Sequence, residues 1–196
     1  MVNKKPKTVP FRRRREQKTN YLKRLELLKS GKPRLVLRFS NSRIITQVIE
    51  LGSKGDKVLL GLDSLSLKEL GWNYSLKNMS ACYLTGLLVG KKALEKNVKE
   101  AIFDLGLLSP LKKGRAYAFL KGVVDSGFKV PHSDGHSIFP EEKILSGEKV
   151  QKHALSLKNQ TEKYKQQFAQ YLKSGNSPEE IMSVFEKVKQ KIKGGK

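Results

Sequence analysis

Apolar residues along this chain recur with periods that change from stretch to stretch, and each change marks an element. From Thr19 the spacing is helical, with Leu22, Leu25 and Leu28 on one stripe, Lys23, Arg24 and Lys29 elsewhere, and Gly31 with Pro33 as the stop. Residues 34–39 then alternate, Leu35, Leu37 and Phe39 against Arg34, Val36 and Arg38. A period of two predicts a strand with one apolar and one partly basic face, the latter able to meet a polyanion. Ser40-Asn41-Ser42 carries turn chemistry, and residues 43–51 are rich in β-branched side chains. A second turn at 52–56 leads to a strand at 57–62, so the core opens as an antiparallel meander.

Asn78 is placed to cap a long helix through Ala81, Leu84, Leu87, Leu88 and Ala93, whose apolar content lays it against the sheet. Residues 99–105 read as a fourth strand, entered after a helix and hence parallel to an earlier one. Another helix runs from about Lys113 through Ala116, Phe119, Leu120, Val123 and Val124 to Gly127. The order β-β-β-α-β-α predicts an α/β fold, helices packed on a mixed sheet. Past Gly147 the pattern changes. Tyr164, Phe168, Tyr171 and Leu172 fall at helical spacing and Gly175 stops them. Ser177-Pro178-Glu179-Glu180 reads as a capping box opening a second helix striped by Ile181, Val184, Phe185, Val188 and Ile192. The expectation is an αα-hairpin whose aromatic stripe forms its own core rather than a base-stacking platform. Three segments result: an arm over 1–18, an α/β core with a basic helix at its start over 19–140, and a C-terminal helical extension over 141–196.

Charge sharpens this picture. The 196 residues carry 40 Lys and Arg against 18 Asp and Glu, a formal +22, and residues 1–43 alone hold fifteen basic and two acidic side chains. Such a chain repels itself unless a polyanion neutralises it, and a nucleic acid is the natural partner. Pro6 and Pro10 forbid a continuous helix in the first fifteen residues, so the arm is expected to be extended and to order on RNA. No apolar run approaches the roughly 18 residues of a membrane span, and the start lacks the apolar core of a signal peptide, which reads as a soluble, intracellular protein. Cys82 stands among apolar and small residues and is expected to be packing.

Catalytic chemistry finds few footholds. His132 and His136 flank Gly135 after Pro131, which argues for a loop rather than a metal-binding helix face, and no metal or other cofactor is expected. G-x-S-x-G and phosphate-loop patterns are absent. A two-metal nuclease needs convergent carboxylates, but the first two strands offer only Glu50, and Asp63, Asp104 and Asp125 read as caps or turn residues. What remains is a basic arm interleaved with aromatics: Phe11, Arg12 to Arg15, Lys18, Tyr21, Lys23 and Arg24. Arginine grips phosphate bidentately and aromatic rings stack on bases, a combination suited to irregular RNA.

At these residues the chain resembles a known family. VPFRRRREQKTNYLKRLELLKSGKPRLVLRFSNSRIITQVI, SACYLTGLLVGKKAL, EAIFDLGL, AFLKGVVDSGFKVPHSDG and IFPEEKILSGEKV look like successive blocks of the 5S-rRNA-binding large-subunit ribosomal proteins, number eighteen in the bacterial series. The likeness is to their archaeal form, related to the eukaryotic fifth large-subunit protein, and runs from about Val9 to the end. It implies a three-layer α/β fold resembling ribonuclease H, used as a scaffold without nuclease activity. It also implies a non-enzymatic, cytoplasmic role: binding 5S ribosomal RNA and helping attach it to large-subunit ribosomal RNA in the central protuberance, beside neighbouring ribosomal proteins, with no membrane or small-molecule substrate. Carried over by position, the RNA-binding residues are Phe11, Arg12, Arg13, Arg14, Arg15, Lys18, Thr19 and Tyr21, then Arg24, Lys32, Arg34, Arg38, Ser40, Asn41, Arg43 and Gln47. Gln17 stands where family members commonly have Gly. The alternatives are a general RNA chaperone or regulatory RNA-binding module outside the ribosome, and a magnesium-dependent nuclease whose cleavage Asp104→Asn would abolish.

Overall fold

Alternating and helical runs become elements in the expected order in a computed structural model, which describes residues 8–133 and 138–194. The first elements are α1 (Arg12–Arg15), α2 (Tyr21–Lys29), β1 (Arg34–Phe39), β2 (Ile44–Gly52), β3 (Gly55–Asp63) and α3 (Ser66–Glu69). The core closes with α4 (Met79–Glu95), β4 (Ile102–Asp104) and α5 (Arg115–Asp125). The remainder is α6 (Glu142–Leu145), α7 (Glu148–Leu157), α8 (Thr161–Gln167), α9 (Ala169–Lys173), a 3-10 turn at Pro178–Glu180, and α10 (Ile181–Gly194). One mixed sheet runs in the order β3-β2-β1-β4. Its first three strands are antiparallel, and β4 joins β1 in parallel, as a strand entered through a helical crossover must.

Register places Leu35 opposite Val48, and Val48 opposite Leu60, on one face. That face shares a core with Leu84 and Leu88 of α4 and Phe119 and Val123 of α5. Completely burying side chains such as Leu84 and Phe119 contributes roughly 1.5–3 kcal/mol each. The Asn78 side chain accepts the Ala81 N–H at 2.7 Å, capping α4 as expected. Helix α4 is apolar almost all round because it is enclosed: the sheet, α5 and α10 all pack on it. Small residues set the α4/α5 approach. A Cβ on Gly86 would overlap the Phe119 carbonyl, and one on Gly122 the Tyr83 carbonyl. Cys82 is fully buried in this packing, as expected, and burial pushes its thiol up to about 12 while the Arg115 charge pulls back weakly.

Several expectations are corrected. Residues 1–7 of the arm lie outside the described residues, and of the rest Arg12–Arg15 form a helical turn where an extended arm is expected. The Arg15 N–H donates to the Phe11 carbonyl and the Lys18 N–H to the Arg13 carbonyl, and neither proline stands within this turn. Helix α2 forms as expected, with two of its leucines turned outward: Leu22 is 74% and Leu25 53% exposed. Long-range contacts turn the helix, since Lys23 donates to the Gly106 carbonyl and Arg24 pairs with Asp56. The fourth strand is shorter than residues 99–105, with Glu100 adding an isolated parallel bridge to Lys129.

The C-terminal segment is not a simple αα-hairpin. Helices α6 and α7 precede it, and the aromatic helix breaks at Phe168, whose backbone leaves helical geometry (φ −103°, ψ 19°). The Phe168 ring lies against Tyr164 and Tyr171, and Tyr171 meets Tyr74 edge-on at 5.4 Å, so the aromatic stripe is packing. The Ser177 hydroxyl bonds Glu179 rather than closing a capping box, because residues 178–180 take the tighter 3-10 turn. Ile181, Phe185, Val188 and Ile192 of α10 join the same core as the sheet. Among the described residues no helix is long and apolar enough to cross a membrane.

Candidate nucleic-acid interface

The second face of the sheet carries Arg34, Val36 and Arg38 beside Ile45, Gln47 and Ile49, and the short α1 and α2 lie at its edge. Asn20 caps α2 by accepting the Lys23 N–H at 3.0 Å. Between α1, α2 and the ends of β1 and β4 lies a cleft of about 690 Å³, lined by Arg13, Lys18, Lys23, Arg24, Arg34 and Arg38 over an apolar floor that includes Leu27, Leu37 and Leu105. Six cations around one cleft would repel each other strongly without counter-charge.

Two carboxylates provide it. Arg34, only 4% exposed, donates through one terminal nitrogen to Asp104 at 2.9 Å and through the other to Asp56 at 2.8 Å. Asp56 also takes Arg24 at 2.9 Å, and Asp104 takes Arg38 at 3.3 Å and the Gly106 N–H at 2.8 Å. The Arg34 Nε is buried and finds no acceptor among the described residues. Burial alone would raise the Asp104 carboxyl, but the Gly106 N–H, the Arg38 charge and hydrogen bonds from both arginines outweigh it and hold the group below the ordinary carboxylate range. Arg34 is thus corrected from the open basic face to a buried ion pair; Asp104, expected in a cap or turn, is instead the last residue of β4 and belongs to this charge layer.

The other predicted residues spread outward from the cleft. Arg12 to Arg15 are all exposed; Arg12 reaches Glu16 at 3.8 Å and Arg13 donates to the Thr19 hydroxyl at 2.8 Å. Lys18 pairs with Glu16, and Phe11, 72% exposed, lies 5.5 Å from the Tyr21 ring. Gln17 closes this turn at φ +52°, a left-handed conformation that favours glycine. At the far end of β1, the Ser40 hydroxyl and the Arg43 backbone close the hairpin tip, Arg43 pairs with Asp63, and the Asn41 carbonyl accepts from Lys77. Gln47 is half-buried on the Arg38 face. Lys32, at the opposite end of β1 from that tip, pairs with Glu100. The structure therefore brings Arg13, Lys18, Thr19, Arg24, Arg34 and Arg38 together and leaves Lys32 and the hairpin tip apart.

Lys23, named in the arm's basic run but not among the residues carried over by resemblance, also lines the cleft. Arg115 lies 5.1 Å over the Phe39 ring. No group of side chains able to hold a metal ion occurs among the described residues; His136 lies outside them, and the His132 ring bonds the Val130 carbonyl.

The family model of ribosomal large subunit proteins 60S L5, and 50S L18 matches residues 5–103. The large ribosomal subunit protein uL18 of Methanosphaera stadtmanae is 45% identical over 184 residues, which cover 94% of this chain and 93% of that protein.

Proposed function

The chain belongs to the family of ribosomal large subunit proteins 60S L5 and 50S L18, and from that membership we propose that it holds 5S ribosomal RNA and helps attach it to large-subunit ribosomal RNA in the central protuberance. As a family member it is a non-enzymatic, structural constituent of the large subunit of the cytoplasmic ribosome. The observation that carries the finer reading is the four-arginine turn of α1, wholly exposed, set beside a cleft ringed by six cations. A polyanion of irregular shape fits it better than a regular duplex groove, because the cations sit at different depths and Phe11 and Tyr21 offer stacking faces.

In this reading Arg12, Arg13, Arg14, Arg15, Lys18 and Tyr21 grip the RNA. Arg24 and Arg38 present guanidiniums from the cleft wall, and Ser40, Asn41, Arg43, Gln47 and Lys32 make outlying contacts. Arg34 supports from beneath. The arm (1–18) meets RNA, the core (19–140) is the rigid scaffold, and the extension (141–196) is a helical appendage held to that core through α10. An antiparallel meander followed by a parallel strand supports the ribonuclease H-like description of that scaffold.

The test is a gel-shift titration against cognate 5S ribosomal RNA at about 150 mM salt, where counterion release already weakens nonspecific contacts. Excess transfer RNA serves as competitor, and a variant with Arg12 to Arg15 all changed to Ala is run alongside. Tight binding that survives competition and collapses in the variant is expected. Equal binding to both RNAs refutes the specific site and leaves a general RNA chaperone.

A further inference from the structure

We propose that Asp104 is a positioning residue of the RNA interface: with Gly106 it fixes the Arg38 guanidinium so that one bidentate edge faces a phosphate. This rests on the RNA-binding reading of the cleft and adds how the cleft's most exposed β1 cation is aimed.

Arg38 is 45% exposed, yet three of its five donors are already directed. One terminal nitrogen donates to the Leu37 and Asp104 carbonyls, both at 2.8 Å, and the other donates to the Asp104 carboxylate at 3.3 Å. What remains is the Nε–H and the parallel N–H of the second terminal nitrogen. Those two form the edge that pairs with carboxylate or phosphate through parallel hydrogen bonds. Gly106 fixes the guanidinium from the other side. A Cβ there would stand 2.9 Å from the Arg38 guanidinium carbon, inside contact distance. Its φ of +63° and the 2.8 Å bond from its N–H to Asp104 keep the turn in place.

Asp104 is itself immobilised. Its side chain is 6% exposed, one oxygen is occupied by Arg34, and the other by Gly106 and Arg38. Both oxygens are thus engaged, and the three bonds hold the carboxylate in one orientation. Its negative charge close to a phosphate-binding arginine works against RNA affinity by simple electrostatics. If Asp104 did nothing for geometry, removing that charge would tighten binding; if it aims Arg38, removing it weakens binding. The two accounts differ in sign.

The experiment measures affinity of the full-length chain for 5S ribosomal RNA against salt, for wild type, Asp104→Asn, Gly106→Ala, Arg38→Ala and the Asp104→Asn/Arg38→Ala double variant. Thermal melts check that each variant is folded. Asp104→Asn is expected to lose on the order of tenfold in affinity, about 1.4 kcal/mol, and to flatten the log–log salt slope by about one phosphate's worth. Gly106→Ala, which leaves every charge and the buried carboxylate in place, is expected to do the same, and it carries the test if Asp104→Asn does not fold. The Asp104→Asn loss should vanish in the Arg38→Ala background. Equal or tighter binding by Asp104→Asn overturns the proposal, as does a loss that persists without Arg38. If wild type does not prefer 5S over transfer RNA, the 5S reading fails instead, and the same slopes measured on transfer RNA still decide the role of Asp104.

Discussion

Replacing Gly86 by Ala adds one methyl group where α4 and α5 touch backbone to backbone. The new Cβ would overlap the Phe119 carbonyl oxygen and stand 3.0 Å from its carbon and 3.1 Å from the Val123 nitrogen. A side chain in the way could rotate aside, but a helix backbone cannot, so the helices must part. Opening a gap of 0.5–1 Å forfeits roughly a quarter to a half of each dispersion contact across the interface. The contacts at risk include Leu84, Leu87, Phe119 and Val123, all in the main core. Overpacking costs about 1–3 kcal/mol in ordinary cores, and a rigid obstacle puts this site at the upper end. Alanine's better helix propensity returns about 1 kcal/mol, leaving a net loss of about 2 kcal/mol. For a chain of this size that lowers the melting temperature by roughly 4–8 °C. Thermal melts followed by circular dichroism, at fixed salt and without RNA, measure it. Gly194→Ala is the control, since among the described residues nothing lies within 4 Å of its added Cβ. A Gly86→Ala midpoint equal to or above wild type would mean that the helices are not in contact as described and would refute the reasoning.

Three further outcomes follow from the geometry. Gln17→Gly relieves a left-handed φ of +52°, worth roughly 1 kcal/mol locally, so amide exchange at Lys18, whose N–H bonds the Arg13 carbonyl, should slow while the global melting temperature hardly moves; faster exchange counts against it. Cys82, fully buried with its thiol pushed up to about 12, should resist alkylation at pH 8 in the folded protein and react at once in denaturant, and rapid labelling of the native chain would contradict that packing. The Asp104 carboxyl is held below its unfolded value, so its stabilisation is complete above the unfolded carboxylate pKa of about 3.9 and disappears as pH falls through the lower folded value. Urea titrations at several pH values should therefore show wild type losing its advantage over Asp104→Asn in acid, and an advantage that grew there would reverse the sign.

By itself the sequence determined whatever depends on neighbours a few residues apart. The alternation of residues 34–39, the Asn78 cap and the stop at Gly127 are local, and the strands and helices formed where those signals stand. The basic character of residues 1–43 also needed no structure, because net charge is a property of composition. Tertiary structure decided which way the charged side chains face. Arg34 alternates as though it belonged to an open basic face, but Asp104, 70 residues away, and Asp56, 22 residues away, draw it into a buried ion pair. The spacing of α2 shows a helix with leucines on one stripe but not which way it turns; Asp56 and the Gly106 carbonyl, the latter 83 residues from Lys23, turn it so that its cations face the cleft. The physical reason is range. Hydrophobic period and capping act within one or two turns of chain, whereas the electrostatic energy of a buried guanidinium depends on carboxylates that only folding brings within hydrogen-bonding distance.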